Sequence, residues 1–462
     1  MKKFKLLFPF ILFVFSAFSQ TITPEDFAKI KKSYISDNAD TKALTNAVSN
    51  NKINDLALNR QNVGKFDKEF KYKVKVKGIT DQKQSGRCWM YTSLNVMRPK
   101  AIAQLGTATF EFSENYLYFY DILEKSNLFL EGIIETAGLP IDDRKVDWLF
   151  DNAVGDGGVW SSYVNLVQKY GLVPKDIMPD TKNSENTKTV VSVINRKLRE
   201  DGMILREMSM QKKLISEIRK SKNEMLGDVY KILAVSLGEP PTEFQWRSKN
   251  TKDELSEYKT YTPVSFMKEV LGDLNLDDYI MLMDDPTRPY YKLYEIEKDR
   301  NVMEGRNWKY INIPASEIKP FALQSIKENE ACYFSCDVSK QLNSDEGLLD
   351  IENYDYESLY GVKFGMNKQQ RILSHDSGST HGMALVGADT DETGKVTKWL
   401  LENSWGATSG ANGYLIMTDR WFDLYMFRVV VLKKYIDAKT LEILNQKPVM
   451  LPPWDPMFLS EE

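Results

Sequence analysis

The 462-residue chain holds only two histidines, His375 and His381, and three cysteines, Cys88, Cys332 and Cys336. That scarcity limits the fold more than any other feature. A disulfide scaffold needs many paired cysteines and most zinc sites need several His or Cys ligands, so neither can hold this chain together. No metal and no cofactor are expected. The fold must rest on a packed core, and a 42% apolar, 12% aromatic composition supplies one. Any imidazole chemistry must use His375 or His381.

Charge narrows the partners. Lys and Arg total 61 against 65 Asp and Glu, a net of −4, which gives no bulk drive toward nucleic acid or anionic lipid. Lys2, Lys3 and Lys5 precede an apolar run from Leu6 to Phe18, and Ala17-Phe18-Ser19 places small residues where a signal peptidase reads. The run contains Pro9 and falls short of the ~20 residues that a membrane span needs. The pattern predicts a cleavable secretory leader over residues 1–19, with Gln20 or Thr21 opening an exported, secreted or periplasmic chain. Its loss leaves 58 basic against 65 acidic residues, a net of −7. No membrane span is expected in the mature form.

Along the mature chain, residues 20–70 are polar and read as a leading arm with short helices. Lys71 to Lys77 alternates Lys with Tyr72, Val74 and Val76, the period of a half-exposed strand. A helix is predicted from Cys88 to Arg98, stopped by Pro99. Ser113 caps a second, with Tyr116, Phe119, Tyr120, Leu123, Leu130 and Ile133 at helical spacing. Asp156-Gly157-Gly158-Val159-Trp160 interrupts before a third, from Ser161 to Tyr170. Residues 181–237 keep helical spacing up to Gly238 and Pro240-Pro241, and residues 243–325 mix short strands and loops. Strands then follow at Cys332–Val338, His381–Gly387, Lys398–Leu401, Gly413–Thr418 and Arg428–Leu432.

Cys88 is the strongest nucleophile candidate. It lies at a helix N-terminus, whose dipole favours the thiolate, with Gly86 allowing a tight turn before it and Trp89 able to wall the site. Read alone, it is also an ordinary buried apolar residue. A reactive thiol needs a base. His381 opens an apolar strand beside Gly382, whereas His375 sits in a polar loop. Asn403, in Glu402-Asn403-Ser404-Trp405-Gly406, can orient an imidazole, with Trp405 shielding that hydrogen bond. Gln82 can place an amide N–H beside the Cys88 backbone N–H as an oxyanion hole. Cys332 and Cys336, about 13 Å apart along a strand, are too far apart to bridge.

The order Gln82, Cys88, His381, Asn403 resembles papain-type cysteine peptidases. Ser85-Gly86-Arg87-Cys88-Trp89 is similar to the bleomycin hydrolase and aminopeptidase C branch, as are Phe110-Glu111-Phe112-Ser113, Asp156-Gly157-Gly158-Val159-Trp160, Val173-Pro174-Lys175, Cys336-Asp337-Val338 and Leu451-Pro452-Pro453-Trp454-Asp455-Pro456-Met457. The resemblance implies an α+β, papain-like, two-lobed fold. Its helical lobe would span 71–184, an inserted helical oligomerisation region 185–325, and a β-rich lobe 326–450. A tail, 451–462, would reach the active site.

The same resemblance implies an aminopeptidase acting on peptide substrates and assembled as a hexamer. Its own C-terminus would gate the cleft, with the terminal carboxylate of Glu462 meeting the substrate's α-ammonium and Gly157, Gly158 and Trp405 lining the substrate site. The ending Phe458-Leu459-Ser460-Glu461-Glu462 departs from the small apolar tail of that branch. The alternatives are an endopeptidase or amidase with an open cleft, and a catalytically silent peptide-binding ring.

Overall fold

The Cys88–Leu105 helix is buried along most of its length, from Cys88 through Pro99 and again at Ala101. In the computed structural model, which describes residues 19–34, 38–455 and 457, it is the element on which the rest of the catalytic half is assembled. The expected leader falls on residues 1–18 and Ser19, so all but its last residue lies outside the described residues. Residues 458–462 of the tail, Glu462 included, also lie outside them. Pro99 does not stop the helix as the sequence suggested. A proline removes one backbone hydrogen bond, but continuation buries Ala101 and packs Ile102 and Leu105 on the core. The helix ends instead at Gly106, which is left-handed at φ 65°.

The chain divides into two units, one ending at Leu58 and the other beginning at Asn59. In the first, Pro24–Lys31, Ala39–Asn50 and Ile53–Ala57 are short helices. A Thr23–Asp26 capping box and Pro24 in the first turn start the first of them. Only Ala57 among their residues is buried.

In the second unit, the Ser113 hydroxyl caps Glu114–Glu135 by accepting from Tyr116 N at 3.1 Å. The expected aromatic stripe lies in the core, with Tyr116, Phe119, Leu130 and Ile133 fully or nearly buried. Trp160–Tyr170 follows. It ends at Gly171, where φ is +76° and a Cβ would lie 2.3 Å from the Pro263 backbone, so only glycine fits. Lys188–Met210 and Ile215–Leu237 pack on the long helix, burying Val190, Ile194, Leu198 and Leu205 of one and Ile218, Val229 and Leu233 of the other.

Among the described residues the sheet has twelve strands. From one edge its path runs Val449–Leu451, Lys292–Ile296, Lys309–Asn312, Tyr279–Met283, Met426–Leu432, Cys332–Cys336, His381–Thr390, Val396–Glu402, Tyr414–Thr418, Leu348–Leu349 and Leu342–Asn343. Tyr72–Lys73 pairs with His381–Thr390 off that path. The β-branched run Val429-Val430-Val431 is buried on both faces, as expected of a central strand. Three strands, Tyr279–Met283, Lys292–Ile296 and Lys309–Asn312, come from the stretch that the sequence reading placed in the inserted region. They are integral to this sheet. The predicted Lys71–Lys77 strand is shortened to Tyr72–Lys73. Val74 N still reaches Val386 O at 2.8 Å, but Lys75 N turns to the Asn329 side chain at 2.7 Å and the ladder ends.

Helix and sheet are joined by a buried ion pair. Arg98 Nη2 lies 2.6 Å from Glu402 Oε1, and both side chains are essentially inaccessible. Arg98 also donates to Gly78 O at 2.9 Å and to Asn95 Oδ1 at 3.0 Å. Removing one partner of such a pair leaves a buried, uncompensated charge. Glu402→Ala is expected to lower unfolding stability by about 3–5 kcal/mol in urea titrations. The double variant Arg98→Met, Glu402→Leu should lose much less.

Candidate active site

Cys88 is the first residue of its helix and is fully buried. The helix has no side-chain cap, since Arg87 at the cap position makes no capping hydrogen bond. No capping side chain stands between its first turn and the thiol, and the positive end of the helix dipole falls at the thiol. Arg87 is itself completely buried. Its guanidinium donates to Ser85 Oγ at 3.0 Å and to Ser184 O at 2.5 Å, and packs on the rings of Tyr91 and Tyr118 at 5.3 and 5.1 Å. The turn entering the helix is held rigidly, with a cation one residue before the sulfur.

His381 opens the His381–Thr390 strand, opposite Cys336 in the ladder, and is buried. Its Nε2 lies 2.8 Å from Asn403 Oδ1, an oxygen that also accepts from Ser404 N at 2.8 Å. An amide oxygen cannot donate, so Nε2 carries the proton and Nδ1 is left as the basic nitrogen. The Trp405 ring stacks on the imidazole with centroids 4.8 Å apart and planes at 29°, covering the His–Asn hydrogen bond. His375, by contrast, is exposed in a loop at φ 59°. Burial pushes the Cys332 thiol up to about 12, which keeps it unreactive; Cys332 and Cys336 form no disulfide.

The segment before Cys88 is stitched to the loop that follows Asn403. Gln82 N donates to Ser404 O at 2.8 Å, Ser404 Oγ donates to Gln82 Oε1 at 2.6 Å, and Gly406 N donates to Thr80 O at 3.1 Å. Gln82 Nε2 donates to Ser85 O at 2.8 Å. That uses one of its two amide hydrogens and leaves the other for an oxyanion. Gln82, His381, Asn403 and Trp405 thus form one connected set with the turn that leads into Cys88.

Gly158 is half-exposed, and a Cβ there would lie 2.6–2.8 Å from the Trp89 indole. Gly157 is buried, and its carbonyl accepts from Lys125 Nζ at 2.6 Å. Of the two glycines, Gly158 presents the more open backbone. Glu462, the remaining candidate, lies outside the described residues.

The residues matched and the geometry they take correspond to a known family. The model of the Peptidase C1-like family matches residues 21–458. The chain belongs to that family. It is 38% identical over 390 residues to aminopeptidase C of Listeria monocytogenes, covering 84% of this chain and 87% of the relative. It is also 38% identical over 414 residues to bleomycin hydrolase of Homo sapiens, covering 87% and 91%. The crystal structure of pepw from Lactobacillus rhamnosis superposes with a TM-score of 0.91 at 37% identity, covering 95% of this chain and 99% of that one. The α+β papain-like fold expected from the sequence is the fold of this peptidase.

Two side chains that sequence reasoning passed over organise the peptidase's glycine loop. Asp156 accepts from Gly86 N at 3.0 Å, Tyr118 Oη at 2.5 Å and the Thr187 hydroxyl, and its carbonyl accepts from Trp89 Nε1 at 2.7 Å. Burial and the adjacent Asp156 carboxylate hold the Tyr118 phenol well above its ordinary range, so it stays a donor. Lys125 donates to Gly155 O at 2.9 Å and Gly157 O at 2.6 Å. Asp156 stood within a quoted motif, which was its only signal. Lys125 had none, since a lysine on an amphipathic helix reads as solvated. Gly158→Ala would drive a methyl into a buried ring. It is expected to cost about 1–3 kcal/mol of stability and to lower kcat/KM, measured by thermal unfolding and peptide hydrolysis.

Proposed function

We propose that the chain is an exported cysteine aminopeptidase whose reaction is acyl transfer from the scissile peptide to Cys88. The observation that carries this reading is the His381–Asn403 hydrogen bond beneath Trp405, stitched through Ser404 and Gln82 to the turn that starts the Cys88 helix. His381 Nδ1 takes the thiol proton, and the Cys88 thiolate attacks the carbonyl carbon. The oxyanion receives the free Gln82 amide N–H and the Cys88 backbone N–H. The tetrahedral intermediate collapses as the imidazolium gives its proton to the departing amine, leaving a thioester on Cys88. Water, losing a proton to His381, then adds to the thioester, and the acid leaves as the thiol is reprotonated. Asn403 keeps the ring in the tautomer this sequence needs. Relatives bearing the names aminopeptidase C and bleomycin hydrolase support the same chemistry.

The finer reading is that peptides lose single N-terminal residues because the chain's C-terminus blocks the far part of the cleft, that subunits assemble as a hexamer, and that residues 1–19 direct export. The Leu451–Met457 segment supports the first. Asp455 forms a two-pronged pair with Arg288 at 3.0 and 2.8 Å, and Trp454 lies under Arg144 at 4.4 Å, so the chain is held firmly where the last residues begin. The runner-up is a papain-like endopeptidase with an open cleft.

Products from a mixed set of free-amine and N-acetylated peptides, resolved by mass, test the reading. Single residues should leave free N-termini only, and Cys88→Ala should abolish release; peptide cleavage surviving in Cys88→Ala would refute the nucleophile. A chain ending at Met457 should gain internal cuts in acetylated peptides. Unchanged products from it would mean that the last residues do not gate. N-terminal sequencing of the protein recovered outside the cytoplasm should begin at Gln20 or Thr21, whereas a retained leader would overturn the export assignment.

A further inference from the structure

Arg87 is a cation buried at the N-terminus of a helix, where desolvation and the helix dipole both disfavour positive charge. Its contacts offset that cost on two sides. Toward the catalytic turn, Nε donates to Ser85 Oγ at 3.0 Å. On the other side, Nη2 donates to Ser184 O at 2.5 Å and lies 3.7 Å from Asp180 Oδ1. The guanidinium thereby bridges the turn that leads into Cys88 and the segment 180–187 that leads into the Lys188–Met210 helix.

Ser85 carries that hold to Gln82. Its hydroxyl, while accepting from Arg87, donates to Gln82 O at 2.7 Å, and its carbonyl accepts from Gln82 Nε2 at 2.8 Å. Gln82 Oε1 accepts from Ser404 Oγ at 2.6 Å. A carboxamide is planar, so holding its oxygen and one N–H leaves the second N–H a single direction. That second N–H is the one offered to the oxyanion. The far anchor is braced in turn. Ser184 Oγ donates to Asp180 Oδ1 at 2.9 Å, Lys175 Nζ pairs with Asp180 Oδ2 at 2.6 Å, and Thr181 Oγ1 donates to Ser236 O at 2.8 Å. Beside Arg87, Gln84 N donates to Glu185 O at 2.9 Å and Asn186 Nδ2 donates to Gln84 Oε1 at 2.8 Å.

We propose that Arg87 is a positioning residue for the oxyanion site: acting through Ser85, it aims the free Gln82 N–H and anchors it to the 180–187 segment. The inference rests on the reading of Cys88 as nucleophile and Gln82 as oxyanion donor. The planar fork is essential to it, because a lysine ammonium keeps the charge but cannot serve Ser85 and Ser184 in the same geometry. Arg87→Lys therefore separates aim from charge.

The test compares the unaltered protein, Arg87→Lys, Gln82→Ala and the double variant on leucyl coumarylamide, a free-amine substrate. Loss of an oxyanion donor lowers kcat on the order of a hundredfold, which is the expectation for Gln82→Ala. Arg87→Lys should lower kcat on the order of tenfold, with KM within about twofold. In the Gln82→Ala background, Arg87→Lys should lower kcat no further, since the group it aims is gone. Alkylation of Cys88 by iodoacetamide forms no oxyanion, so its rate and pH profile should be the same in Arg87→Lys as in the unaltered protein.

An unchanged kcat in Arg87→Lys, an equal loss in both backgrounds, or alkylation slowed as much as turnover overturns the proposal. Ser85→Ala removes the relaying hydroxyl and leaves Arg87 in place. It should show the same pattern, and it carries the test if Arg87→Lys does not fold. The underlying reading is reported separately: full turnover in Gln82→Ala would sink the oxyanion assignment and this proposal with it. A large loss in Gln82→Ala, with none in Arg87→Lys or Ser85→Ala, defeats the Arg87 assignment alone.

Discussion

The buried pair between Arg98 and Glu402 ties together residues 304 positions apart in the chain. Arg98 lies on the helix that begins at Cys88, and Glu402 ends the strand that delivers Asn403. A buried ion pair seldom adds net stability over a well-packed apolar pair, because desolvating both charges offsets most of their attraction. It does demand one geometry. With Arg98 also held by Gly78 O and by Asn95, whose amide reaches Thr80 at 2.9 Å, the helix has one position against the strand. The placement of Asn403 relative to the Cys88 helix follows from the same joint.

Around that joint, the site is organised by groups that hold loops. Asp156 draws three segments to one carboxylate, and Lys125 takes up the carbonyls of the glycine loop. Ser404 serves Gln82 and Asn403 at once, with its hydroxyl on one and its backbone N–H on the other. Preorganised donors and a fixed imidazole tautomer are what acyl transfer through a thiolate requires, since no reorganisation is then needed as charge develops. The uncapped helix start follows the same logic. A capping side chain would have occupied the amides that face the thiol.

The elements most legible in the sequence were those with strong local signals. Ser113 and the stripe behind it marked the long helix, Gly171 its successor's end, and short apolar runs the strands after Ala331. Less legible was Pro99, whose local cost is outweighed by burial of the turn that follows it. The strand Tyr279–Met283, Tyr-Ile-Met-Leu-Met, is apolar almost throughout and shows no alternation, so periodicity could not separate it from other buried segments. Its place in the sheet depends on Met426–Leu432, far along the chain.

By itself the sequence determined the chemistry available to this peptidase. With two histidines, one cysteine at a helix start and one amide in a tryptophan-flanked turn, the choice of reacting groups was small, because residue identity limits which side chain can be nucleophile, base or orienter. Only the tertiary structure decided that His381 carries its proton on Nε2 and that Asp156 and Lys125 hold the glycine loop. Those facts depend on contacts between residues distant in sequence. A polar side chain on a helix or in a loop has the same local signature whether water or a buried partner satisfies it.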